Sequence, residues 1–120
     1  MPVHVKLYSV LFILLACVAG CQHATGEKPS TIDLLMQTES MLTAGMETLK
    51  TGIDIGTVDT TTSEYARVYA GLEKANTVMD SAWAAYRAGS LEQADASRRI
   101  ALSTYQSIRP LLYQIAGEAP

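Results

Sequence analysis

Cys17, Cys21 and His23 stand within seven residues of one another, and the chain has no other cysteine and, besides His4, no other histidine. Such a cluster could form a disulfide, hold a metal, or offer a sulfur for covalent modification. A metal site needs about four ligands, and no second Cys/His group follows Cys21 and His23. A Cys17–Cys21 disulfide would have to form inside an apolar run, because Leu7–Gly20 contains no charged residue. The surroundings of Cys21 therefore decide its chemistry.

Reactive residue types are sparse beyond residue 23. There is no glycine-rich phosphate loop, no thiol and no imidazole, so nucleophilic triads and zinc sites lack their parts. Two carboxylate pairs have helical spacing, Glu73 with Asp80 and Glu92 with Asp95. Acids placed opposite an apolar seam read as a solvated face. The expectation is a chain that is not an enzyme, with no catalytic residues and no metal.

The stretch before Cys21 has the pattern of a secretory leader. Lys6, with His4 beside it, precedes fourteen uncharged residues, Leu7–Gly20. That is short of the roughly 20 residues a membrane-spanning helix needs, and it fits the roughly 7–15 residues of a signal's apolar region. An uncleaved span would have to reach back to Val3 and Val5 across His4 and Lys6. Small residues, Ala19 and Gly20, stand just before Cys21, where a peptidase needs open backbone.

Val18-Ala19-Gly20-Cys21 resembles the lipobox of bacterial lipoproteins: an aliphatic residue, two small residues, then cysteine. The resemblance implies a diacylglycerol on the Cys21 sulfur, cleavage between Gly20 and Cys21, and an N-acyl chain such as palmitate on the new amino terminus. No cofactor beyond these lipids is expected. Gln22 in place of aspartate implies, by the same resemblance, outer-membrane rather than inner-membrane residence in a Gram-negative host. Cleavage discards Cys17 and acylation consumes Cys21, which leaves no free thiol in an oxidising periplasm. The mature chain would carry eight basic and twelve acidic residues, a net charge of 8 − 12 = −4. It lacks the basic patch that nucleic acid would require.

The elements that follow divide the chain into a signal at 1–20, a lipidated cysteine and flexible linker at 21–29, and a helical bundle over 30–116. The linker Gln22–Pro29, "QHATGEKP", has no large apolar residue. His23 there reads as solvated. Pro29 disfavours helix at Lys28 and marks the boundary. A first helix over about 31–51 is expected from a Ser30/Asp33 capping box, with Ile32, Leu35, Leu42, Met46 and Leu49 recurring at helical spacing, Glu39 interrupting them and Gly52 as left-handed terminator. Thr51–Glu64 reads as a connector, with Ile53, Ile55 or Val58 tucked onto the bundle and Thr61/Glu64 as the next capping box.

A second helix over about 62–88 carries the clearest repeat: Tyr65, Val68, Leu72, Ala75, Met79, Ala82 and Tyr86, flanked by Tyr69, Asn76 and Trp83 at seven-residue intervals. Gly89 ends it, and Ser90 with Gln93 begins a third helix over about 91–116. There Leu91, Ala94, Arg98, Ala101, Tyr105, Ile108, Leu112 and Ile115 repeat the rhythm. Arg98 interrupts this line; its stem is expected along the seam with the guanidinium in water. Pro110 is expected to kink the helix without ending it. The fold class is all-α, an antiparallel three-helix bundle, in which alanines 75, 82, 94 and 101 let the second and third helices approach closely. Gly89, Ala94 and Ala101 also fall where a tetratricopeptide repeat places its turn glycine and packing alanines. Arg98 takes that repeat's aromatic position and no second copy follows, so only the helical hairpin carries over.

Tyr69, Trp83, Tyr86 and Tyr105, with Tyr113, form the candidate interaction surface. The Arg98-Arg99 pair, with Arg109, could meet phosphate or lipid headgroups unless Glu92 and Asp95 neutralise it. The mature region is similar to short, alanine-rich helical lipoproteins of bacterial and prophage genomes. The expected function is a membrane-anchored interaction or structural module facing the periplasm, with an envelope protein as partner and self-association possible. The alternatives are a small-ligand or lipid-binding protein using a groove around Trp83, and a prophage-derived lysis or superinfection-exclusion lipoprotein.

Overall fold

The computed structural model describes residues 29–117, so the leader, the lipobox and nearly all of the linker lie outside the described residues. It contains three helices: α1 (Thr31–Asp54), α2 (Ser63–Arg87) and α3 (Leu91–Ala116), with no strand among the described residues. None of these helices is long and apolar enough to cross a membrane. α2 and α3 share the largest interface, and α1 lies against both. The short turns make α2 antiparallel to each neighbour, so α1 and α3 run parallel.

The core is a set of heptad lines that meet along the axis. α2 buries Val68, Leu72, Ala75, Met79 and Ala82, while α3 buries Ala94, Arg98, Ala101, Tyr105, Leu112 and Ala116. The four alanines expected between these helices are all fully buried. The α2–α3 contact is also tight at Gly71, where an added Cβ would stand 2.7 Å from Ile108 Cγ2. Tyr65, Tyr86, Ile108 and Ile115 pack around the core as partly buried neighbours.

α1 differs from the expected stripe in an instructive way. Its buried line is Leu35, Thr38, Leu42, Gly45, Leu49 and Gly52, an unbroken alternation of three- and four-residue steps. Glu39 therefore does not interrupt the stripe; Thr38, one position earlier, continues it. The Thr38 hydroxyl donates to the Leu34 carbonyl at 2.9 Å, so a polar side chain is satisfied within its own helix. At Gly45 a Cβ would lie 2.7 Å from Tyr105 Cε2 and 3.4 Å from Leu72 Cδ2. The three helices meet here around a side chain that is absent.

Three terminators and caps depart from the expected pattern. Gly52 does not end α1, which continues to Asp54. Instead the chain folds back over it: the Val58 N–H and the Thr57 hydroxyl both donate to the Gly52 carbonyl, at 3.0 and 3.2 Å. A Cβ on Gly52 would stand 2.5 Å from Val58 Cγ2, so the glycine serves this close return. The left-handed residue is Gly56, at φ +84°. Of the three apolar residues in the connector, Val58 is buried, Ile53 partly so, and Ile55 exposed.

The α2 cap is Thr62 rather than Thr61, with its hydroxyl accepting from the Tyr65 N–H at 3.2 Å. Thr61 is engaged elsewhere, donating through both backbone and hydroxyl to the Asp59 carboxylate at 2.9 and 2.6 Å. Those bonds hold the Asp59 carboxyl below its usual range. Ser90 caps α3 by position, but its side chain makes no cap bond. Its N–H donates to the Ala85 carbonyl at 2.9 Å, so its backbone is committed to closing α2. Gly89, at φ +83°, supplies the expected left-handed turn. α3 passes through Pro110 without a break and ends at left-handed Gly117.

Arg98 is the remaining correction. Its guanidinium does not escape to water: the residue is only 8% exposed, and Nε and Nη2 donate to Asp95 Oδ1 at 3.2 and 2.9 Å.

Candidate functional site

The proposed modification site, Cys21 with Gly20 before it, lies outside the described residues together with Val18, Ala19, Gln22 and His23. What the structure places is the point where the tether joins the bundle. Ser30 caps α1 there through the expected box: its Oγ accepts from the Asp33 N–H at 3.3 Å, and its own N–H donates to Asp33 Oδ2 at 3.3 Å. Regular helix thus begins within a residue or two of Pro29, and little slack is added to the linker.

The aromatic candidates stand in separate places. Tyr69 is exposed and stacks on Tyr65 with centroids 6.0 Å apart. Trp83 and Tyr86 form an edge-to-face pair, also at 6.0 Å, near the other end of α2. Fourteen residues of helix, about 21 Å, separate Tyr69 from Trp83. Tyr105 is only 3% exposed, with its ring against Gly45, and so belongs to the core. The reason is the small residue opposite: a glycine on α1 admits a ring that a leucine would have pushed outward. No single groove unites the four residues.

The Trp83 indole N–H is buried without a hydrogen-bond partner among the described residues. Burial of an unpaired donor is unfavourable by roughly 1–3 kcal/mol, so the ring is held there by packing and not by its polar atom.

Polar groups gather at two places on α3. Asp95 receives Arg98 on one carboxylate oxygen and Arg99 on the other, each at 2.9 Å. The Arg98 hydrogen bond is the main cause of a lowered Asp95 pKa, with the charges of Arg99 and Arg98 adding to it against partial burial. Asp95 alone, without Glu92, thus neutralises the Arg98-Arg99 pair in part. Glu92, Glu73 and Asp80 are exposed. Further along, the Arg109 guanidinium lies over the Tyr113 ring at 5.4 Å, beside a surface cleft lined by Gln106, Arg109, Pro110 and Tyr113. Burial raises the Tyr105 pKa, as does the nearby Tyr113 phenol, while Arg109 opposes both. The sequence groups Tyr105 with Tyr113 among the aromatics and Arg109 with Arg98-Arg99, although Tyr105, Arg109 and Tyr113 recur every four positions. No group of three or more His, Cys, Asp or Glu side chains among the described residues could hold a metal ion.

The chain matches no protein-family model, no curated protein and no solved structure.

Proposed function

We propose that this chain is a non-catalytic lipoprotein of the bacterial envelope, anchored through acylated Cys21 and working through protein contacts of its helical bundle. The observation that carries the reading is Val18-Ala19-Gly20-Cys21 placed directly behind Lys6 and the uncharged run Leu7–Gly20. A motif of four residues is common by itself, but behind a basic start and an apolar run it is specific. A diacylglycerol and an N-acyl chain together give stable attachment, since each buried methylene contributes about 0.8 kcal/mol. Gln22 favours the outer membrane, with the bundle in the periplasm. The bundle then stands within about 30 Å of the lipid surface, where an envelope protein can meet it.

Crosslinking in intact cells tests the partner. A photo-reactive residue scanned over the exposed faces of α2 and α3 should capture one envelope protein from a contiguous set of positions. Capture of nothing but scattered background would set the interaction role aside.

A further inference from the structure

The topology carries the linker to one rim of the bundle, and that rim exposes large apolar side chains among its charges. Gly45 and Tyr105, which touch, stand equally far into α1 and α3. Thr31 and Leu91, the first residues of these parallel helices, are therefore level, and the last turn of α2 lies beside them. Around this rim Ile32 is 39% exposed, Met36 55% and Leu91 52%. Ile32 and Met36 are four residues apart and share one face of α1. Half of the six exposed large apolar side chains among the described residues thus crowd where the linker enters; Ile55 and Tyr69 lie towards the opposite end and Ile100 between. Half-buried Tyr86 stands on the last turn of α2, a residue type favoured where protein meets lipid headgroups.

To the depth of Arg99 the rim carries Asp33, Glu39, Asp80, Glu92 and Asp95 against Arg87, Arg98 and Arg99, a small net negative charge. A zwitterionic bilayer does not repel such a surface, and anionic lipid would not attract it. The length of chain before the bundle fixes the geometry further. From Cys21 to Ser30 the chain can reach at most about 30 Å, whatever conformation it takes. A rim held so close to the membrane experiences it at a high effective concentration, so even a small apolar contact is populated.

We propose that this rim docks on the lipid surface, with Ile32, Met36 and Leu91 entering the boundary between headgroups and acyl chains. The proposal rests on the lipid-anchored reading above. It gives the bundle a fixed stance: α1 and α3 rise from the membrane, and the Gly56 turn and the Tyr65–Tyr69 pair face away from it. Side chains on the first and second turns of α1 reach the roughly 5–10 Å depth at which interfacial residues sit.

The test uses the full-length, cell-matured protein reconstituted into zwitterionic phosphatidylcholine–phosphatidylethanolamine vesicles. With Cys17 cleaved away and Cys21 acylated, the variants Met36→Cys, Leu91→Cys and Ile55→Cys each offer a single thiol for a nitroxide label. Collision with oxygen should dominate over collision with a water-soluble nickel chelate at residues 36 and 91, the reverse should hold at residue 55, and the pattern should be insensitive to salt. Adding Ile32→Asp and Met36→Asp to Leu91→Cys should return that label to water while the protein stays with the vesicles. Labels at 36 and 91 as aqueous as the one at 55, on protein that remains membrane-bound, would overturn the docking and leave the anchor standing. Strong spin–spin broadening between copies at 36 or 91 would assign the rim to self-association and also overturn it. Protein absent from the membrane fraction would remove the anchor, and the docking with it.

Discussion

Substituting Gly45→Ala pits two known effects against each other. Alanine is favoured over glycine inside a helix by about 1 kcal/mol, so at an open position the change stabilises. At residue 45 the new methyl would stand 2.7 Å from Tyr105 Cε2, inside the normal carbon–carbon separation, and 3.4 Å from Leu72 Cδ2. The Tyr105 ring is packed within the core and cannot swing aside, so α1 must lift from α2 and α3. Overpacking of this kind costs about 1–3 kcal/mol, and the steric term should fall in the upper part of that range because backbone has to move. The net expectation is a loss of about 1–2 kcal/mol, read by urea unfolding of the chain from Gln22 onward and followed by circular dichroism. Tyr105→Leu in the same background should recover part of the loss, a non-additivity that touching residues show. A Gly45→Ala variant stabilised by about 1 kcal/mol would mean that the helices do not meet at this point, and the packing register would be wrong.

Arg98→Met should leave stability within about 1 kcal/mol of the parent, because a methionine suits the buried line and Asp95 keeps Arg99. Asp95→Asn should lose more, about 1–2 kcal/mol after allowance for the pair's partial exposure, since a buried guanidinium loses its carboxylate; equal effects of the two variants in chemical denaturation would argue against the pairing. The lowered Asp95 pKa gives a pH signature: stability from this carboxylate is present above its ordinary value of 3.8 and is lost as pH falls through the depressed folded-state value. Acid unfolding of Asp95→Asn should therefore be less steep below about pH 4, and an unchanged acid limb would show that Asp95 contributes nothing. Trp83→Phe should lose less than about 1 kcal/mol because it removes an unpartnered donor, whereas Trp83→Ala should lose about 2–3 kcal/mol; similar losses for both would indicate a hydrogen bond at Nε1.

The parts of the fold that could be read in advance are those where hydropathy and burial coincide. α2 and most of α3 repeat apolar residues at three- and four-residue steps, and the structure buries nearly that line. α1 was harder because two of its core positions are Thr38 and Gly45, residues that a hydropathy stripe passes over. Gly52 misled for a related reason: glycine signals a left-handed terminator, yet here it provides room for Val58 to fold back. The shift of the α2 cap came from three consecutive threonines, of which Asp59 claims Thr61. Arg98 looked like a break in the seam, although Asp95, three residues earlier, stood ready to pair with it. Tyr105 falls in the core instead of the aromatic surface because sequence spacing places residues along one helix but does not say what faces them across an interface. The proposed anchor is read from primary sequence alone, since processing enzymes act on an extended segment and need no folded geometry.

The intact mass of protein extracted from cell membranes bears most directly on the whole account. We expect a chain starting at Cys21 and heavier than its sequence by one diacylglyceryl group and one further acyl chain, with Cys21→Ser accumulating as the unprocessed, unacylated precursor. A native mass that still includes residues 1–20, or a serine variant trimmed to the same length and equally membrane-bound, would contradict it.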